Sequence, residues 1–441
     1  MPIVVGAYAL LPKFRTGLLL CASYIFYAWW NPLFVPLLLF STFLNFTVGR
    51  RLADATSRHR KNAWLTLGLL INLSMLGTFK YYGFLAETLQ TVFGSQMLPP
   101  FSIALPLGIS FFTFEGISYL IDIRRGACPS RNWKEFALFV SFFPHLIAGP
   151  IIRFPAIATQ FAPHEEPWRE KAEGLYRFTL GISKKLLLAD LLAVIADASF
   201  KSPAQSALSA WMGLFAYSFQ IYLDFSAYTD MGIGLALLFG FRLPENFNCP
   251  YFSASATEFW RRWHMTLSGW FRDYVYIPLG GSRRSLPRIV LNIIITFTLS
   301  GLWHGARWGF VLWGLYYGIL LALERVIGLE RLERLPLLPR RIMTFLLVTL
   351  GWIFFRSVTM HDAGTFAASL IGWSSISSSV PALWSILVLA IAGLFVLLEP
   401  CIPRIPKKFT LPLGCVFGSL AALCLLIALG VESSPFIYFQ F

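Results

Sequence analysis

The sequence predicts an all-α polytopic membrane protein, and three observations predict it. Of 441 residues 56% are hydrophobic and only 13% charged, where a soluble domain carries roughly 25% charged residues. Apolar runs recur at close to the roughly 20 residues that a helix needs to cross hydrocarbon. Lys and Arg collect in alternate loops between those runs, as the positive-inside rule requires of a multi-pass chain. With so few charges to solvate its surface, the chain has lipid as its solvent.

Read in order, the apolar runs give about ten to twelve spans by the length criterion, near 1–12, 16–30, 33–49, 63–79, 103–123, 186–200, 209–239, 287–302, 309–325, 342–356, 381–399 and 411–430. The basic loops carry Lys13 and Arg15, then Arg50, Arg51, Arg58, Arg60 and Lys61, then Arg124, Arg125, Arg131 and Lys134. They continue through Arg325, Arg331, Arg334, Arg340 and Arg341 to Arg404, Lys407 and Lys408. These loops are expected on the cytoplasmic side. The loops near 80–102, 200–208 and 360–380 and the tail 431–441 are poor in Lys and Arg and are expected on the far side.

The formal charge of +14 would suggest nucleic acid in a soluble protein. Here the basic residues sit between apolar runs, which fits anionic membrane lipid and excludes nucleic acid as a partner. The six cysteines are scattered, without a CxxC pair, so neither a disulfide framework nor a zinc site is expected. No cleavable signal peptide is expected either, since apolar sequence begins almost at once and runs on into further spans.

Two stretches depart from the span pattern. In 129–185, Pro144, Gly149, Pro150 and Pro155 punctuate an apolar segment too short to cross. Non-helical backbone at membrane depth survives only where protein or water surrounds it. Ser141 to Phe154 is therefore expected to be re-entrant and to line an internal cavity, with 164–185 a polar interfacial helix. The second stretch is Glu258 to Tyr276. On one helix, Trp260, Trp263, Leu267, Trp270, Phe271 and Tyr274 share a face opposite Glu258, Arg261, Arg262, Ser268 and Arg272, with His264 at the seam. That pattern reads as a lipid-anchoring amphipathic helix in the cytoplasmic interface.

Gly301-Leu302-Trp303-His304-Gly305 ends one span just before the next. Ionisable residues within the membrane are costly and functional by default, and a buried imidazole suits general-base work. Gly301 and Gly305 would allow close approach to the ring, with Trp303 and Trp308 as rigid walls. Glu115, Tyr119 and Asp122, and Asp224, Tyr228 and Asp230, are expected to hold the bundle together by pairing with arginines. A metal site is not expected, because a predicted span separates His264 from His304 and no carboxylate stands at ligand spacing beside either. Ser374 to Ser379 has no acid–base neighbour in sequence and offers no nucleophile.

Phe259 to Gly281 (FWRRWHMTLSGWFRDYVYIPLGG) and Leu299 to Gly305 (LSGLWHG) resemble the signature of the membrane-bound O-acyltransferase superfamily. The resemblance extends through LPLGISFFTFEGISYLIDIRRG from Leu105, FPHLIAGPIIRF from Phe143 and QIYLDFSAYTDMGIGLALLFGFRLPENFNCPY from Gln220, to the final PFIYFQF. It is nearest to the bacterial branch that acetylates alginate, although this N-terminus is shorter than is usual there. The resemblance implies a ring of tilted helices with re-entrant and interfacial pieces around a central tunnel. It places the catalytic histidine at His304 and the second motif histidine at His264, nearer the cytoplasmic face.

A single membrane domain over 1–441 follows from that resemblance: N-terminal spans in 1–125, the re-entrant and interfacial segment in 126–185, a catalytic core in 186–330, and C-terminal spans with a far-side tail in 331–441. The implied activity moves an acetyl group across a bacterial inner membrane to an exopolysaccharide or cell-wall glycan, directly or through a periplasmic acetyltransferase partner. The implied donor is acetyl-CoA or another acyl thioester from the cytoplasm, with no bound cofactor. Trp303, Arg261, Arg262, Ser268, Arg272 and Asp273 are expected to bind substrate, and Tyr438 to serve as an acyl relay. The competing readings are a flippase for a lipid-linked sugar or acyl carrier, and a structural subunit that recruits the true transferase; both predict that His304 is dispensable.

Overall fold

The computed structural model describes residues 2–94, 98–99, 104–161, 167–201, 206–372, 382–402, 406, 410–430 and 434–437. Among the described residues the regular structure is helical, with no strand. The chain forms two compact units, Met1–Leu175 with Gly232–Pro244, and Tyr176–Met231 with Glu245–Phe441.

In the first unit, α1 (Pro2–Leu10) and α2 (Arg15–Trp30) follow one another, and the chain bends by 108° between them. Pro12 stands at this bend, where it removes a backbone donor and stops the preceding helix. α3 (Val35–Asp54) and α4 (Arg58–Leu76) pack on α5 (Ile109–Arg124). Asn45 of α3 and Asn72 of α4 exchange side-chain amide hydrogen bonds at 2.9 and 3.2 Å, fully buried. Apolar faces do not drive helices together in lipid, so buried polar pairs of this kind are what tie them.

α5 is buried along almost its whole length. It therefore tolerates Ser110, Thr113, Glu115 and Ser118, which lipid would not. Glu115 was expected to pair with an arginine; its partner is instead His145, whose Nδ1 lies 3.3 Å from the carboxylate. His145 belongs to residues 142–153, between α6 (Trp133–Ser141) and the short helix that begins at Phe154. This stretch is turned and extended rather than helical, and nearly all of it is buried in protein. The Phe143 N–H donates to Ser23 Oγ, so the backbone groups freed there meet protein partners.

α7 (Trp168–Lys184) occupies the place of the polar interfacial helix expected over 164–185, and its inward face corrects that expectation. Arg177 and Lys184 are both buried. Arg177 Nε donates to Asp230 Oδ1 at 2.6 Å, its two terminal nitrogens donate to the Glu245 carboxylate at 2.9 and 2.7 Å, and Lys184 pairs with Asp230 Oδ2. Asp230 lies on α8 (Ala207–Leu238). The carboxylates draw the cations inward because an unpaired buried charge costs far more than a pair.

Further helices of the second unit include α9 (Ala256–Arg262), α10 (Met265–Phe271), α11 (Leu286–His304), α12 (Trp308–Ile327), α13 (Leu337–Arg356), α14 (Met360–Leu370), α15 (Leu383–Leu398) and α16 (Leu411–Gly430). Among the described residues seven helices are long and apolar enough to cross a membrane, and the bent α1–α2 pair makes up to eight. The larger number of expected spans arises because α5, α8 and the shorter helix Asp190–Lys201 also stand at predicted positions. α5 and α8 are largely walled by protein, and packing there replaces the hydropathy that lipid would demand.

Candidate active site

The site begins with the crossing of α11 and α12. A Cβ on Gly301 would lie 2.1 Å from the Phe310 carbonyl oxygen, and one on Gly314 2.3 Å from that of Phe297. Only glycine allows two backbones this near, as at other small-residue helix crossings in membranes. The crossing fixes the last turn of α11, which carries Trp303 and His304.

His304 is buried, with its ring centroid 5.0 Å from Trp303, 5.0 Å from Trp313 and 5.2 Å from Phe355. Trp308, expected as a second wall, is 52% exposed, and Trp313 and Phe355 take that part. Along the same face of α11, Asn292, Thr296, Ser300 and His304 recur every fourth residue, all buried. Such spacing aligns them in one polar stripe.

The single amphipathic helix expected over Glu258–Tyr276 is broken. α9 ends at Arg262 and α10 begins at Met265, with His264 between them in the left-handed region at φ 42° and ψ 53°. Histidine tolerates this conformation better than most residues, yet it remains uncommon and is held only by its surroundings. Here the holder is Asn246, whose Oδ1 accepts from the Thr266 N–H at 3.3 Å and from Thr266 Oγ1 at 2.9 Å. His264 Nδ1 lies 3.0 Å from the same oxygen. An oxygen already accepting from an N–H is an acceptor, so Nδ1 carries the proton and Nε2 the lone pair. Burial pushes the His264 imidazole down to about 3 and keeps the ring neutral.

The lipid-anchoring face is likewise corrected. Trp260, Trp263 and Trp270 are all buried in protein. Trp260 meets Trp313 and Tyr317 edge-on at 5.5 and 4.9 Å, and Trp263 lies 5.0 Å from Trp352. With the chain turned at His264, Trp260 and Trp263 are buried against α12 and α13, and Trp270 packs on Phe271 and Tyr274.

The same turn brings the two histidines together. They were expected at different depths, with a span between; their ring centroids are 6.4 Å apart, and Trp303 packs against both. Among the described residues no three potential metal ligands cluster.

A cavity of about 730 Å³ opens along α11, and neither histidine nor Trp303 is in its lining. Arg261, Ser268 and Arg272 line it, with Arg325 and Arg331 from the end of α12 and the turn beyond. It reaches Thr296 and Ser300, and Ser300 is one turn, about 6 Å of helical rise, from His304. Arg262 and Asp273 are not in its lining. Arg262 pairs with Glu258 at 2.7 Å, and Asp273 accepts from Arg272 at 2.7 and 3.1 Å. Tyr438 lies outside the described residues.

Three participants escaped the sequence reading. The Asn292–Thr296–Ser300 stripe was visible as a four-residue polar repeat in an apolar run. Asn246 and Glu324 left no such trace. Glu324 accepts the backbone N–H groups of Ala256 and Thr257 and the Thr257 hydroxyl, tying the start of α9 to the end of α12.

Asn246→Ala would remove the oxygen that three donors share, one on the buried His264 ring and two on half-buried Thr266. A buried donor left unpaired costs about 1–3 kcal/mol, so the purified variant is expected to lose its monodisperse chromatographic peak at a clearly lower temperature. A neutral His264 also makes stability depend on acid. Its folded value lies below the ordinary histidine value of about 6.5, so its contribution is complete above that pH and is lost as the pH falls toward 3. An unchanged melting temperature in Asn246→Ala would refute the clasp.

The family model of MBOAT, the membrane-bound O-acyltransferase family, matches residues 102–361. The chain is 45% identical over 379 residues to the probable alginate O-acetylase AlgI of Azotobacter vinelandii, covering 85% of this chain and 76% of that protein. To its Pseudomonas aeruginosa counterpart it is 45% identical over 369 residues, covering 82% and 71%. A peptidoglycan O-acetyltransferase of Helicobacter pylori is 37% identical over 406 residues, with 85% and 77% covered.

Proposed function

The chain belongs to the membrane-bound O-acyltransferase family, and from that premise we propose that this multi-pass O-acyltransferase moves an acetyl group at His304 from a cytoplasmic thioester to a hydroxyl on the far side of a bacterial inner membrane. The observation that carries the reading is the position of His304. It is buried beside a second imidazole, at the end of a polar stripe whose nearer residues face an arginine-lined cavity.

The cavity suits the donor. Arg325 and Arg331 belong to the loops read as cytoplasmic, and with Arg261 and Arg272 they offer guanidinium groups to a phosphorylated thioester such as acetyl-CoA. The acceptor hydroxyl gives its proton to the His304 imidazole while its oxygen attacks the thioester carbonyl. The C–S bond then breaks and the thiolate leaves, taking up a proton as the free thiol. General-base assistance of this kind contributes about 100- to 10,000-fold. His264, neutral and fixed through Asn246, presents a lone pair at Nε2 to the same region.

Relatives named for alginate and peptidoglycan point to a cell-envelope polysaccharide as final acceptor. A far-side transferase partner would complete the transfer from Tyr438, which stands in the tail Pro435 to Phe441. Inside-out membrane vesicles given labelled acetyl-CoA test the scheme. Mass spectrometry is expected to find one acetyl group on Tyr438 in the parent protein and none in right-side-out vesicles. An unmodified Tyr438 together with an active Tyr438→Phe variant would remove the relay.

A further inference from the structure

A second group of charges, buried or half-buried, lies on α8 and on the helical segment Lys185–Lys201 that continues from α7, and neither the histidine pair nor the cavity uses it. Asp224 is buried in α8. Its Oδ1 pairs with Lys185 at 3.0 Å, and Lys185 also pairs with Asp190 at 2.9 Å. The other Asp224 oxygen accepts the backbone N–H of Ile437, 213 residues on, at 2.8 Å. Ser434 enters the same cluster, accepting from Lys185 Nζ at 3.3 Å and donating its hydroxyl proton to Asp190. Phe436 and Ile437 are both buried.

The docked segment is close to the site. Phe436 stacks on Tyr228 with centroids 4.5 Å apart and lies 6.1 Å from Phe225, whose ring meets His264 edge-on at 4.8 Å. One aromatic ring thus separates the C-terminal segment from the second histidine. A carboxylate buried in a membrane bundle and shared between a lysine and one backbone amide 213 residues away is an expensive device for packing alone.

We propose that Asp224 and Lys185, with Asp190, are positioning residues for acyl transfer: they clamp Ser434 to Ile437 against Tyr228 and Phe225, the ring that meets His264, and thereby fix that wall of the histidine pair. The inference rests on the reading of the histidine pair as the place of acyl transfer. The clamp touches no reacting atom. It acts by holding the tail in register, where a misplacement of about 1 Å costs on the order of 100-fold in rate.

Two variants test it. Asp224→Leu removes the acceptor for the Ile437 amide at similar volume and leaves Lys185 paired with Asp190. Ser434→Ala loosens the clamp from the tail without burying a charge. In the purified full-length protein, hydrogen exchange of the C-terminal peptide is expected to be slow in the parent and fast in Asp224→Leu. kcat is expected to fall about 100-fold in Asp224→Leu and about two- to tenfold in Ser434→Ala, the range of a single hydrogen bond. KM for acetyl-CoA should stay unchanged in both. A slowly exchanging tail in Asp224→Leu, or a KM rise with kcat intact, would overturn the clamp. An active His304→Ala protein would remove the acyl-transfer reading alone and leave the exchange result standing, so the two failures are told apart.

Discussion

His304→Ala is expected to lower acyl transfer by about 100- to 10,000-fold while leaving the protein in the membrane at near-parental amount. The ring is enclosed by Trp303, Trp313 and Phe355, so its removal opens a void whose walls are rigid aromatics. Those walls belong to α11, α12 and α13, and the glycine crossing that holds the first two together does not involve the imidazole. The chemical loss should therefore far exceed the structural one. His304→Gln fills more of the volume and keeps polar atoms but cannot accept a proton at neutral pH, and it is expected to be as inactive as Ala. The measurement is acetyl incorporation per mole of protein in membranes carrying each variant. Parental activity in either would leave a carrier or recruiting role for this chain and remove His304 from the chemistry.

The largest expected effect on stability is at Asp230. Its carboxylate receives Arg177 on one oxygen and Lys184 on the other, all three being buried. Asp230→Ala leaves Lys184 with only the Ser226 hydroxyl, and Arg177 with Glu245. Stranding buried charges in this way costs about 3–5 kcal/mol, a large part of the roughly 5–15 kcal/mol that holds a typical fold. The variant is expected to be nearly absent from the membrane fraction on immunoblots. An Asp230→Ala protein present at parental amount and melting at the parental temperature would show that water reaches these cations.

Much of this architecture could be read from the residues. Apolar runs bounded by arginines located α3, α4, α11, α12 and α13 to within a few residues, since hydrocarbon imposes a length and charge marks its edges. His304 stood out because a lone imidazole at the end of such a run demands a reason. The break at His264 could not be read, because the tryptophan spacing continues across it and only the left-handed backbone records the turn. For the same reason the aromatic face passed as a lipid anchor: burial in protein and burial in lipid select the same side chains. Partners distant in sequence were equally hidden. Nothing in the strings around Glu115, His264 or Asp224 names His145, Asn246 or Ile437.

The polar stripe on α11 bears on how a donor lies in the cavity. Thr296 directs its hydroxyl hydrogen to the Asn292 carbonyl oxygen at 2.7 Å, inside its own helix. What it turns outward is electron density alone. A carbonyl drawn up to that point would meet repulsion, whereas an amide N–H of a pantetheine-like arm would be welcomed there. On the proposed reading, a thioester donor would lie with its arm past Thr296 and its thioester toward Ser300 and the imidazoles, which would give the cavity a direction as well as a width.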